Sequence, residues 1–243
     1  MLLLLAGTGE AREIAKFLSD ERIPAMASLA GATRDPNGLA ITSRSGGFGG
    51  GKAFEDFLDD FGITAILDAT HPFAARISRR TADIAARRGL AYLQVLRPPW
   101  VPGPDDNWIS IEKEQDAAKH IPDGSTVFLA TGRKTLADFE NLSSCRVICR
   151  RIDPPQHPFP FANGEYLLGR PPFSVADELK LFRQLDVGWL VVKNAGGVAS
   201  ATKLTAAKEL GIPVVMIKRP PQPNAGKVET VDQAMHWVRS LPW

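Results

Sequence analysis

The chain opens on an uninterrupted apolar run that leads directly into a glycine turn. Residues Leu2 to Ala6 are all apolar. A run of this length is too short to span a membrane and is typical of a strand that is buried on both faces. Gly7-Thr8-Gly9 then breaks the run, and apolar residues resume at helical spacing from Glu10 to Leu18. This order of strand, glycine turn and helix predicts the first unit of a dinucleotide-binding domain, because the glycines and the exposed helix N–H groups admit a phosphate.

The glycine turn matches the dinucleotide-binding fingerprint only in part. Arg12 stands where the fingerprint has its third glycine, so the motif alone is weak. An ordinary strand-to-helix turn would have the same residues. The rest of the chain has to decide between the two interpretations.

Length and charge exclude several classes of protein. A chain of 243 residues can form one large domain or two small ones. The net charge of +2 creates no global field for nucleic acid or for an anionic membrane, and basic residues do not alternate with aromatic ones. No stretch reaches transmembrane length, and no basic segment of a signal peptide precedes Leu2. We therefore expect a cytoplasmic protein that binds neither nucleic acid nor membrane.

The two cysteines predict no disulfide. Cys145 and Cys149 lie four residues apart in an apolar context. On a strand they would share a face but lie too far apart to bridge, so we expect two reduced structural thiols. No cluster of His, Cys and Asp has the spacing of metal ligands, and no metal is expected.

The second predicted strand, Pro24 to Leu29, bears on coenzyme preference. An acidic residue after this strand would hold the ribose 2′-hydroxyl of NAD, whereas an arginine would accept a 2′-phosphate. No acid occurs between Ala25 and Thr33, and Arg34 follows. The pattern favours NADPH, although Arg34 could equally be a solvated loop charge.

A glycine-rich stretch follows at Ile41 to Lys52, with five glycines around one phenylalanine. Such a stretch is either a flexible linker or a backbone shaped to wrap a ligand. Regular structure resumes at once from Ala53 to Phe61, which favours a loop inside the domain. Arg44 and Ser45 add the capacity to bind an anion there.

Polar residues also follow the next predicted strand, Ala65 to Leu67. Asp68, Thr70 and His71 lie in the sequence DATHPF, and a helix is predicted from about residue 74 to Arg88. Ligands of open α/β sheets bind at the carboxyl ends of the strands. Asp68 or Thr70 could instead simply cap the helix.

The two halves of the chain resemble each other. Gly89 pairs with Gly211 and Arg97 with Arg219, and both pairs are separated by 122 residues. The pattern predicts an α/β fold of two Rossmann-like parallel-sheet units facing across a cleft, with domains at 1–97 and 98–243. An exchange of strands between the two units would be invisible in the sequence.

The second half carries cations at its predicted strand ends, whereas the first half carries glycines and small polar groups. A coenzyme on one side and a polyanionic substrate on the other would suit this difference. Ordinary surface charges would explain any one of these cations. The cations are Arg133, Lys134, Lys193, Lys203, Lys218 and Arg219.

Taken together, the motifs resemble those of the precorrin-6A reductase family of cobalamin biosynthesis. The matching stretches cover nearly the whole chain. They are LAGTGEAREIA near the start, SGGFGGG, DATHPFA, ATGRK, and KNAGG followed by TKLTAAKELGIPVVMIKRP. DATHPFA and the final block are specific to the family, whereas the glycine turn alone is not.

The resemblance implies an oxidoreductase acting on a CH–CH bond. Such an enzyme transfers hydride from NADPH to C19 of the macrocycle precorrin-6A and a proton goes to C18, giving precorrin-6B. Its partners would be this tetrapyrrole and neighbouring enzymes of the pathway. Polar candidates beside the nicotinamide are Asp68, Thr70 and His71, where His71 either donates a proton or orients the turn.

By motif position, the resemblance also assigns the binding residues. The coenzyme contacts are Gly7, Thr8, Gly9, Arg34, Arg44, Gly46 and Gly47. The second half would hold the carboxylates of the macrocycle. Its residues are Arg133, Lys134, Lys193, Asn194, Lys203, Lys218 and Arg219.

Two alternatives stay open at this point, and a third is disfavoured. The natural macrocycle could carry cobalt, as in the early-cobalt route. A two-lobed binding protein without catalysis would also suit two similar units. A short-chain dehydrogenase is disfavoured, because neither Tyr92 nor Tyr166 has a lysine four residues later.

Overall fold

The computed structural model describes residues 1–30 and 38–243, and of residues 133 and 134 the backbone only. These residues form two compact units. The first comprises Met1–Pro98 and Pro220–Trp243, and the second comprises Pro99–Arg219.

The first unit is a six-stranded parallel sheet with helices, in the strand order β12-β5-β4-β1-β2-β3. Its strands are β1 (Leu2–Leu5), β2 (Ala25–Leu29), β3 (Ser43–Ser45), β4 (Ala65–Asp68), β5 (Ala91–Val95) and β12 (Lys227–Val228). Its helices are α1 (Gly9–Asp20), α2 (Gly51–Asp60), α3 (Ala75–Arg88) and α6 (Val231–Arg239). The glycine-rich stretch therefore contains a short strand, β3, which the sequence pattern did not predict.

The central strand β1 is buried on both faces, as its apolar sequence predicts. Leu2 and Leu4 belong to the core that includes α1 and α6. Leu3 and Leu5 belong to a second core that includes Phe54 of α2. Because successive side chains of a strand point to opposite faces, one run of leucines supports helices on both sides of the sheet.

The second unit repeats this architecture in the strand order β6-β11-β10-β7-β8-β9. Its strands are β6 (Trp108–Ile111), β7 (Thr126–Ala130), β8 (Arg146–Arg151), β9 (Gly164–Leu168), β10 (Trp189–Lys193) and β11 (Val214–Ile217). Its α-helices are α4 (Val175–Gln184) and α5 (Thr202–Glu209). Three short segments are 3-10 helices: Glu114–Lys119, Arg133–Leu142 and Val198–Ser200. The predicted α/β fold class is confirmed.

The two sheets exchange their last strands. By chain order β6 should follow β5 in the first sheet, yet it pairs with β11, and β12 occupies the place beside β5 instead. Residues 220–243 consequently belong to the first unit, whereas the repeat in the sequence predicts that all of 98–243 belongs to the second. The sequence does not indicate this placement, because β12 is only two residues long and its pairing partner lies more than 130 residues earlier in the chain.

Among the described residues, no helix is both long enough and apolar enough to cross a membrane.

Candidate functional site

The opening glycine turn presents open space at the N-terminus of α1. Gly7 has φ of +153°, a conformation that side-chain-bearing residues rarely adopt. Thr8 caps the helix: its Oγ1 accepts from the N–H of Ala11 at 3.2 Å and donates to the carbonyl of Ala69 at 2.8 Å. A Cβ placed on Gly7 or on Gly9 would meet no atom within 4 Å. The turn therefore fits a nucleotide phosphate, which needs close approach to the helix N–H groups.

Arg44 organises the glycine-rich turn from within. One guanidinium nitrogen donates to Ser28 Oγ at 2.9 Å and to the carbonyl of Gly46 at 3.1 Å, and the other donates to the carbonyl of Gly47 at 3.1 Å. The guanidinium also lies 4.3 Å from the ring centre of Phe48. Arg44 thus connects this turn to the carboxyl end of β2, where a ribose is recognised in such folds. The predicted contact Arg34 lies outside the described residues.

Asp68 is fully buried at the end of β4 and holds the DATHPF turn together. Its Oδ1 accepts from the N–H of Thr70 at 3.0 Å and from Thr70 Oγ1 at 2.7 Å. Its Oδ2 accepts from the hydroxyl of Tyr92 at 2.9 Å. Burial and the Asp68 charge raise the pKa of Tyr92, so its hydroxyl stays a donor. Thr70 Oγ1 lies 3.2 Å from Ser78 Oγ, which extends the network into α3.

His71 is oriented within the same turn. Its Nδ1 accepts from the N–H of Phe73 at 3.2 Å, which assigns the proton of the neutral ring to Nε2. The next residue, Pro72, is held through its carbonyl, which accepts from Gln222 Nε2 at 2.9 Å. Gln222 also accepts from Gln94 Nε2 of β5 at 3.0 Å.

Gln222 is a residue of this site that no sequence pattern predicts. It lies 150 residues beyond Pro72, in the segment that returns to the first unit, and no local pattern marks it. The exchange of β12 brings it to the His71 turn.

In the second unit, the turn that follows β10 gathers several of the predicted substrate residues. Lys193 Nζ donates to Thr135 Oγ1 at 3.0 Å and lies 3.4 Å from a carboxylate oxygen of Glu114. Arg219 donates from Nε to the carbonyl of Asn194 at 2.7 Å and from Nη2 to the carbonyl of Ala195 at 2.9 Å. The guanidinium therefore stabilises the backbone of this turn.

The side chain of Asn194 bonds to protein backbone. It accepts from the N–H of Trp100 at 2.8 Å and donates to the carbonyl of Trp100 at 2.9 Å. The indole N–H of Trp100 in turn donates to the carbonyl of Gly197 at 3.0 Å. Asn194 thus anchors the segment that enters the second unit, a role that the sequence pattern did not indicate.

The other predicted cations at strand ends of the second unit are Lys218, Arg133 and Lys134. Lys218 is exposed and forms an ion pair with Glu112 at 2.6 Å. Arg133 and Lys134 begin the 3-10 helix after β7, and their side chains lie outside the described part of the chain.

Lys203 lies in the first turns of α5. Its Nζ donates to the carbonyl of Ser200 and lies 5.9 Å from the ring centre of Trp100. Burial, together with the nearby charge of Arg150, lowers the pKa of Lys203 to about 8, against the opposing effect of Glu178. Because that value lies above neutral pH, Lys203 remains a cation there.

Comparison with known proteins decides which family these features belong to. The family model described as precorrin-6x reductase CbiJ/CobK matches residues 1–239. The chain belongs to the precorrin-6x reductase family. This member is 44% identical to the precorrin-6A reductase of Rhodococcus erythropolis, over 99% of this chain and 98% of the relative. It is 39% identical to the precorrin-6A reductase of a Sinorhizobium species, over 98% of this chain and 93% of the relative.

A solved structure agrees with this placement in the precorrin-6x reductase family. The structure titled CobK precorrin-6A reductase superimposes with a TM-score of 0.93 at 36% identity, covering 98% of this chain and 95% of that one. The chain is thus an oxidoreductase of cobalamin biosynthesis, and its family implies a nicotinamide coenzyme. The alternatives of a non-catalytic binding protein and a short-chain dehydrogenase are wrong.

Proposed function

We propose that the enzyme reduces the C18–C19 double bond of precorrin-6A with NADPH and forms precorrin-6B. The main support for this substrate assignment is the full-length similarity to relatives named for precorrin-6A reduction, at 44% and 39% identity. The cobalt-precorrin-6A reductase of Priestia megaterium is 29% identical over 97% of each chain. The higher identity to the precorrin-6A reductases favours the metal-free macrocycle as the substrate. An assay with the metal-free and the cobalt-containing macrocycle tests this preference. Faster turnover of the cobalt form would reverse the assignment.

The first unit is proposed to hold the coenzyme. The open glycine turn fits the pyrophosphate, and the Arg44 turn together with Arg34 serves the ribose end. When bound, NADPH supplies the hydride. The protein places the nicotinamide ring and excludes water, so its contribution is mainly positioning.

The second unit is proposed to bind the acidic side chains of the macrocycle. Ammonium and guanidinium groups are the complement that acetate and propionate groups require. Lys193, at the turn after β10, and Lys203 of α5 support this role. Asn194 and Arg219 contribute by holding that turn in shape.

The protein is proposed to work in the cytoplasm. Both cysteines are buried free thiols, which suits a protein of the reducing cytoplasm. Neighbouring enzymes of the pathway are the proposed protein partners.

Coenzyme preference provides a direct test of the proposal. We expect Arg34→Ala to raise the Michaelis constant for NADPH by at least about tenfold while leaving that for NADH nearly unchanged, because only NADPH carries the 2′-phosphate. Steady-state assays with each coenzyme measure both constants. Arg22→Ala is the control, since it removes an exposed arginine before β2. Equal effects of Arg34→Ala on both coenzymes would refute the role of Arg34.

His71 is proposed to deliver the proton, because its ring is held by Phe73 with Nε2 as the donor. Asp68 and Thr70 act through the turn that carries it. We expect His71→Ala to slow single-turnover reduction by on the order of a hundredfold with NADPH affinity unchanged. His236→Ala, an exposed histidine of α6, serves as the control. Near-normal single-turnover chemistry in His71→Ala would leave His71 only the role of orienting the turn.

A further inference from the structure

The N-terminus of α1 carries a carboxylate close to the position where a phosphate is expected. Glu10 is the second residue of the helix, directly after the glycine turn. Its two carboxylate oxygens accept from Arg97 Nη1 at 2.9 and 2.8 Å. The pair is shielded from solvent, since the Arg97 side chain is 15% exposed and that of Glu10 26%.

The surroundings of Glu10 keep it ionised. Burial alone would raise its pKa, but its own backbone N–H, the charge and hydrogen bond of Arg97, and the hydroxyl of Thr8 together lower the pKa. The carboxylate therefore lies, charged, at the N-terminus of α1, the end of the helix at which a bound phosphate would sit.

The Glu10 carboxylate and a bound phosphate would both place negative charge at the N-terminus of α1. A carboxylate in the first turn stabilises the helix in the absence of ligand, but it repels an anionic ligand at the same end. Arg97 lies 87 residues later in the chain, just after β5 and beside the point where the chain leaves the first unit. No pattern around Arg97 links it to the glycine turn.

We propose that Arg97 is a positioning residue of the coenzyme site: it holds the Glu10 carboxylate in an ion pair, and this pairing lets the N-terminus of α1 accept the coenzyme phosphates. The inference rests on the proposed binding of NADPH at this turn. Arg97 acts here through Glu10, so its effect on NADPH affinity depends on the charge of Glu10.

A double-mutant cycle tests this dependence. The four proteins are the wild type, Arg97→Ala, Glu10→Gln and Arg97→Ala/Glu10→Gln. The dissociation constant for NADPH is measured by the change in coenzyme fluorescence, without substrate or turnover. We expect Arg97→Ala to weaken binding about tenfold, because an unpaired charge then faces the phosphates. Glu10→Gln should bind as tightly as the wild type or more tightly, and the double variant should recover most of the loss.

Salt dependence adds a readout that a purely structural role would not change. The weakening caused by Arg97→Ala should shrink between roughly 0.05 M and 0.5 M salt, because added salt screens the repulsion. Thermal unfolding of all four proteins checks that the fold is intact. Arg97→Gln replaces Arg97→Ala in the cycle if the alanine variant does not fold.

The chain offers a matched control at the other end of the same helix. Arg239 donates from Nε to Glu21 at 3.0 Å, and its Nη2 contacts the second oxygen of the same carboxylate. Arg239→Ala removes an arginine–glutamate pair from α1 without touching the glycine turn, so NADPH affinity should not change.

Two results would overturn this inference and leave the coenzyme assignment intact. An Arg97→Ala protein that binds NADPH as tightly as the wild type shows that the pair does not matter. A double variant as weak as Arg97→Ala shows that Arg97 acts by itself and not through Glu10. A wild-type protein that fails to bind NADPH would instead refute the coenzyme assignment, and this inference with it.

Discussion

Replacing Arg150 with methionine is expected to lower the free energy of unfolding of the second unit by about 3–5 kcal/mol. Arg150 of β8 donates from its two terminal nitrogens to the two carboxylate oxygens of Glu178 of α4, at 2.7 and 2.8 Å. The side chains are 8% and 1% exposed. The guanidinium also lies 4.2 Å from the ring centre of Phe173. Removal of Arg150 leaves a buried carboxylate without its partner, which costs far more than the pair contributes when intact.

Thermal and denaturant unfolding measure this effect, and the midpoint temperature should fall by roughly 10 °C. The double variant Arg150→Met/Glu178→Leu should regain most of the loss, because the buried carboxylate is then removed together with its partner. The control is Arg146→Met on the same strand. Arg146 pairs with Glu165 at 2.6 Å, but both side chains are about half exposed, so the change should stay within roughly 0.5 kcal/mol. Equal losses in Arg146→Met and Arg150→Met would contradict the argument.

Gly9→Val should weaken NADPH binding strongly, with almost no change in stability. Gly9 begins α1, and a Cβ there would meet no protein atom within 4 Å. Its backbone is not in the left-handed region, so a side chain adds no strain. The second glycine of such a turn allows the backbone to approach the pyrophosphate. Valine would therefore occupy space that only a ligand uses.

Two substitutions of increasing size make this result specific. Gly9→Ala should weaken NADPH binding and Gly9→Val should weaken it by a further step, on the order of a hundredfold or more in total. The unfolding midpoint of both should remain close to that of the wild type. Binding of NADPH to Gly9→Val at wild-type affinity would place the coenzyme elsewhere.

Local pattern was sufficient to predict the elements that surround the glycine turn. The apolar run of β1 and the helical spacing of α1 both depend on neighbouring residues, so periodicity reveals them. The same holds for the polar residues of the DATHPF turn, because they directly follow a buried strand. The repeat at 122 residues similarly indicated two related units.

Contacts between distant segments could not be predicted in this way. The bond from Gln222 to Pro72 and the ion pair of Arg97 with Glu10 join residues 150 and 87 positions apart. The bonds of the Asn194 amide to the backbone of Trp100 are a further example. An amide suits a ligand as well as it suits a neighbouring strand, and residue type does not distinguish them.

By itself, the sequence determined the α/β class, the glycine turn and the family, because these depend on local spacing and on motifs that run along the chain. Only the tertiary structure decided which strand completes each sheet, that residues 220–243 belong to the first unit, and which side chains hold the His71 turn. The physical reason is that a short edge strand such as β12 makes few contacts of its own. Its place depends on a sheet built from residues far away in the chain, and no pattern within two residues can specify that partner.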